Sequence, residues 1–225
     1  MTTKTYIAFR SSARLHQLTD GFIERMRHGA RAPEPKVVED IMTTFIQESL
    51  DAFFLTPASY SGLSTTQQRL VRLAADTISK ATRLVIGRSA RKMDLNQNRA
   101  AADYMDSIRF PGPRHAFWYV AFPVEPGLAE RGRRLAQRTE EGHFEGARED
   151  MVHYLRGITD QALHWYFNKP IDLLGFGPIL RRVASVGVDT TRKASYGVIN
   201  KVIPNLSDEQ LTQSALYYLG MQVRH

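Results

Sequence analysis

The chain has 225 residues, 43% of them apolar and 10% aromatic, which is enough to bury a sizeable core and too many for a disordered segment. It contains no cysteine, so disulfides, thiolate metal sites and cysteine nucleophiles are excluded, and its net charge is +7. No stretch approaches the ~20 apolar residues that a membrane helix needs, and the apolar run Tyr6 to Phe9 is too short for a secretory signal; the expectation is a cytoplasmic protein with no transmembrane segment, open to peripheral contact with a membrane.

The spacing of apolar residues predicts a first helix near 12–28, then a loop through Pro33 and Pro35. From Val38 to Phe54 apolar positions recur at steps of three and four, which predicts a helix ending before Pro57, because proline has no amide to donate and crowds the preceding turn. Residues 57–62 then read as a loop. Ser64 and Gln67 form a capping box for the clearest helix, over 65–92, and Asp94 is placed to cap another through Ile108.

The texture changes over 110–127, where four prolines stand among Phe110, Phe117, Trp118, Tyr119 and Phe122. A helix cannot cross prolines 111, 113, 123 and 126, so the segment reads as a buried crossing with one short strand at most. A helix near 128–139 follows, then a longer one over 144–168 stopped by Pro170. Residues 171–204 suggest two helices broken near Gly187. Ser207 and Gln210 cap the last helix, Leu206 and Leu211 staple it, and Gly220 stands where a C-terminal cap belongs. About seven to eight helices with short connections imply an all-α fold: an irregular multi-helix bundle forming a single domain over 1–225, with 110–127 as the place for a subdomain boundary.

Charge is unevenly spread, with ten basic and four acidic residues over 61–114. On the 65–92 helix, Arg69, Arg72, Lys80, Arg83 and Arg91 fall within about 100° of arc opposite the apolar row. With Arg181 and Arg182, this basic face is the candidate for an anionic partner: an acidic protein first, then lipid headgroups, then nucleic acid. The same stripe also fits the solvated side of a core helix, with Asp76 pairing Arg72 and Lys80 at helical spacing. No aromatic residue is interleaved with it, which leaves base stacking unsupported.

The alternative reading is a protein that encloses a small apolar ligand or a cofactor of unspecified kind, in a pocket walled by His115, Phe117, Trp118 and Tyr119. That requires a cavity of at least about 300 Å³ at His115 or Trp118. Packing of core aromatics explains the same residues. A polar row, Glu149, His153, Asp160 and His164, shares one helix face and would suit a metal only if it faced inward, yet it lies opposite the apolar row of its own helix. Gly175 to Arg182 could hold an anion at a helix start but lacks the residues of an established phosphate loop, and reads equally as a flexible turn. The pattern 171–204 also fits an interfacial amphipathic pair, its apolar side in lipid. No nucleophile elbow or zinc-hydrolase motif is present, so enzymatic activity has no motif behind it, and self-association is compatible with all of these readings.

Overall fold

A computed structural model describes residues 4–225. The chain starts with strand β1 (Thr5–Arg10) and continues through helix α1 (Ala13–Arg27), α2 (Pro35–Leu50), α3 (Thr56–Tyr60), α4 (Thr65–Ala90) and α5 (Leu95–Ser107). Strands β2 (Arg109–Pro111) and β3 (Trp118–Pro123) follow, then α6 (Pro126–Glu140), α7 (Ala147–Leu163), α8 (Lys169–Leu173), α9 (Pro178–Val202), α10 (Asp208–Gly220) and strand β4 (Gln222–Arg224). Wide π-type turns, Asp51–Leu55 and His164–Asn168, fuse α2 to α3 and α7 to α8. The described residues therefore hold eight continuous helices, and the architecture is an irregular helical bundle with one small sheet.

The caps follow the sequence. Ser12, Ser64, Asp94 and Ser207 each accept from a first-turn amide, and the last three complete reciprocal capping boxes with Gln67, Gln97 and Gln210. Each box satisfies two amides that a helix start otherwise leaves open.

The sheet is antiparallel in the order β2-β3-β1-β4. Its central pair joins two nearly identical sequences, Tyr6-Ile-Ala-Phe9 and Tyr119-Val-Ala-Phe122, with Ala8 opposite Ala121. Alternation sends Ile7, Phe9, Val120 and Phe122 into the main core, while Ala8, Ala121 and Phe110 pack on the other face under Tyr6 and Tyr119. His225 stacks flat on Phe110 with ring centres 4.3 Å apart, closing that face with the last residue of the chain. One continuous apolar cluster runs from Ile7 to Met221.

Four details depart from the sequence-based expectations. The run Tyr6 to Phe9 is a central strand, and the 110–127 segment supplies two strands rather than one. Pro57 and Pro170 do not end their helices. In each case the turn has already widened: the Thr56 amide donates to Asp51 and the Lys169 amide to His164, five residues back, so the ring that follows enters a loosened ladder. The carbonyls released by this shift are taken by tyrosine hydroxyls. Tyr217 donates to Ala52 (2.8 Å), Tyr218 to Phe53 (2.7 Å) and Tyr104 to Trp165.

Gly187 does not break a helix either. A Cβ there would lie 2.6 Å from the Val85 methyl, so the glycine lets α9 approach α4 closely in the middle of one unbroken helix. Gly220, last, sits inside the final turn of α10, and Met221 follows in right-handed geometry.

Candidate functional site

Helices α4 and α9, 26 and 25 residues long, pack against each other as an antiparallel pair, with Val85 against Gly187 near one end and Val71, Val198 and Val202 lining one cavity near the other. Their inner sides carry Ile78, Ala74, Val188 and Ser195 into the core. Their outer sides are unusual. Leu73 is 65% exposed, Leu84 54%, Ile179 75% and Val186 61%, and Leu173 just before α9 is exposed as well.

At 100° per residue, Leu73, Thr77, Lys80, Leu84 and Arg88 fall within about 80° of one another on α4. Ile179, Arg182, Val186 and Lys193 fall within about 60° on α9. Both arcs lie about 90° from the line of contact through Val85 and Gly187, on the side away from the core, so they merge into one strip about 38 Å long. Aliphatic side chains form its middle and cations its edges.

All five cations of the basic stripe, Arg69, Arg72, Lys80, Arg83 and Arg91, are exposed, as are Arg181 and Arg182. Asp76 does not neutralise the stripe. The Arg72 guanidinium instead donates to Gln68 (3.4 Å), and among the described residues neither Asp76 nor any of the five cations enters an ion pair. Several arginines elsewhere are matched: Arg25 to Glu34, Arg109 to Asp20 and Asp106, Arg138 to Asp150, Arg148 to Asp208 and Arg192 to Asp160. Among the described residues α4 thus carries five basic side chains, Arg69, Arg72, Lys80, Arg83 and Arg88, none of them in an ion pair. Arg181 is folded back, donating to the Phe176 carbonyl (2.9 Å) with Asp172 at 4.0 Å, whereas Arg182 carries no such partner. Gly175 is left-handed and Gly177 extended, so the glycines before α9 make its entry turn.

The aromatic segment does not assemble into a single pocket. His115 is exposed on a turn where it and Arg114 both adopt positive φ, +56° and +54°. Phe117 lies over Gly112, where any Cβ would come within 2.4 Å of the ring, and under the Arg10 guanidinium at 4.5 Å. Tyr119 borders a wide open depression of about 730 Å³ between β1, α3 and α10. Only Trp118 reaches a partly enclosed cavity, of about 140 Å³, well under the size expected from the sequence. At its edge His16 stacks on the Trp118 ring at 4.9 Å, and the Arg109 guanidinium lies 4.7 Å from the ring centre with its Nη1 3.4 Å from Nδ1 of His16. Burial, with Arg109 opposed by Asp20, pulls the His16 pKa below its usual value, so its ring is neutral near pH 7. Arg109 itself is almost fully buried yet satisfied by its two carboxylates.

Glu149, His153, Asp160 and His164 all face outward, and Asp160 is occupied by Arg192 (3.0 Å) and the Tyr196 hydroxyl (2.6 Å). Among the described residues no three His, Asp or Glu side chains come together as a metal would require, and no helix is long and apolar enough to cross a membrane. Compared with known proteins, the chain matches no family model, no curated protein and no solved structure.

Proposed function

We propose that the chain is a peripheral binding protein that docks onto an anionic bilayer through the outer strip of the α4–α9 pair. The observation that carries this reading is the mixture on that strip: Leu73, Leu84, Ile179 and Val186 exposed between Lys80, Arg88, Arg91, Arg182 and Lys193, cations that make no ion pair among the described residues. A purely solvated helix face has no reason to present four large aliphatic side chains in register, since each gains about 1.5–3 kcal/mol on leaving water.

The aliphatic residues also order the candidate partners. A phosphate backbone would take the cations and leave the leucines in water, and no ring is interleaved for bases to stack on. A bilayer interface takes both, the aliphatic tips at the acyl boundary and the cations at the headgroups, each basic side chain being worth about 1 kcal/mol at an anionic surface. An acidic protein, first in order on sequence grounds, would need an apolar counterpart running along the same strip, and so ranks second here.

Sedimentation with vesicles tests the reading. The full chain should bind vesicles containing a third phosphatidylglycerol at 50 mM salt, bind phosphatidylcholine vesicles poorly, and release most of its lipid by 300 mM as the charges are screened. Neutralising Lys80 or Arg88 should weaken binding about fivefold each, the effect of one charge. Equal binding to charged and neutral vesicles, or binding indifferent to salt, would remove the proposal, and salt-dependent capture of an acidic protein with no vesicle binding would put the second partner first.

A further inference from the structure

Two apolar cavities meet inside the bundle. The first, about 150 Å³, lies between α2, α4, α7 and α9; the second, about 140 Å³, lies between α1, α2, α4, α5 and α8. Phe45, Tyr166 and Phe167 border both, so three rings are the partition between them. Both are partly enclosed and lined almost wholly by apolar side chains, the setting in which a small apolar molecule leaves water.

The polar groups at these cavities are in an uncommon state. Four buried side-chain polar atoms of the described residues have no hydrogen-bond partner, and three of them are the hydroxyls of Ser49, Ser89 and Tyr166. Ser49 borders the first cavity, Ser89 the second and Tyr166 both. Tyr166 is only 6% exposed, and an unpartnered hydroxyl at that depth is costly to keep unless something else supplies the partner. Its backbone lies in the wide turn His164–Asn168, which is fixed by the Tyr104 hydroxyl on the neighbouring Trp165 carbonyl, so the phenol is held where it is by an element of a kind that recurs at functional sites.

We propose that the two cavities are one binding site for an uncharged, elongated apolar molecule with a single hydrogen-bond acceptor near its middle, a ketone or ester oxygen in an aliphatic chain, that accepts from the Tyr166 hydroxyl. Two lobes on either side of one donor give the molecule its shape. A cavity of this volume takes a benzene-sized body, so each lobe accommodates roughly six carbons. The ligand is uncharged because no charged side chain borders the first cavity, and in the second Arg109 is committed to Asp20 (2.8 Å) and Asp106 (3.1 Å) while His16 is neutral. The phenol is a donor because burial, aided by Tyr104, raises its pKa well above the usual value and keeps its proton in place. This inference does not depend on membrane docking and stands or falls separately.

The test uses two probes, 6-undecanone and undecane, which share a chain and differ in the central carbonyl. Headspace partitioning over the 225-residue chain gives the affinity of each. The ketone should bind at least about tenfold more tightly than the alkane, the difference that one buried hydrogen bond to an otherwise unsatisfied donor makes. Tyr166→Phe should keep undecane affinity within about twofold and bring the ketone down to the same value, and Ser49→Leu, which fills the first cavity, should weaken both probes at least tenfold. Failure of both probes to bind the wild-type chain overturns the proposal, as does a ketone preference that persists in Tyr166→Phe; Tyr166→Phe loses only an unpartnered hydroxyl, so it decides the matter even if Ser49→Leu does not fold.

Discussion

Five tyrosine hydroxyls in the interior divide into kinds that the same substitution separates. Tyr104, Tyr217 and Tyr218 each donate to a carbonyl that a widened helical turn has released, and Tyr154 meets Gln222 at 3.2 Å, whereas Tyr166 donates to nothing within the chain. Tyr218→Phe strands the Phe53 carbonyl in the core and should lower unfolding stability by about 1–3 kcal/mol in urea titration. Tyr166→Phe removes a hydroxyl that had no partner and should be neutral or slightly stabilising. Equal losses from the two variants would contradict the assignment of these hydroxyls. None of this pairing is legible in the sequence, because the groups that meet are more than 60 residues apart and tyrosine spacing within a helix does not encode them. The pocket read at His115, Phe117, Trp118 and Tyr119 shows the same blindness: alternation along β3 and the left-handed turn before it send these rings to different surroundings, and only Trp118 lines a cavity.

Among the elements, α9 gives the sharpest contrast. Gly187 and Gly197 both sit in its interior, where glycine costs about 1 kcal/mol relative to alanine, but only Gly187 faces a neighbour. Gly197→Ala should therefore raise stability by about 0.5–1 kcal/mol, while Gly187→Ala should lower it by about 1–3 kcal/mol through collision with Val85, with Val85→Ala restoring part of the loss in the double variant. Calorimetric melting of the four proteins checks the signs. Helix starts were legible because a cap is local chemistry: Ser64 with Gln67 and Ser207 with Gln210 are complete signals within four residues. The pairing of β1 and the continuations past Pro57 and Pro170 were not, since they depend on partners remote in sequence. The likeness of Tyr6-Ile-Ala-Phe9 to Tyr119-Val-Ala-Phe122 was the one internal signal that could have paired β1 with β3, and it is only four residues long.

For the molecule as a whole, the two proposals describe one economy of design: an apolar interior with a polar donor left open, and an outer strip suited to the surface where apolar molecules are dissolved. The basic stripe was legible from helical spacing alone, because cations at steps of three and four must share a face. The aliphatic row beside it was half legible: Leu73 and Leu84 fall at the basic arc of α4 by spacing, but Ile179 and Val186 join them only through the packing of α4 on α9. Absence of native cysteine makes this placement directly measurable, because a single introduced thiol carries an environment-sensitive label at one site only. The decisive measurement is the emission of such a label at Leu84→Cys, and separately at His153→Cys on α7, with and without phosphatidylglycerol vesicles. The label at 84 should shift to the blue on binding and become accessible to a quencher held in the acyl chains, with the label at 153 unchanged. A label at 84 that stays in water while the protein sediments with the vesicles, or one at 153 that enters lipid in its place, would contradict it.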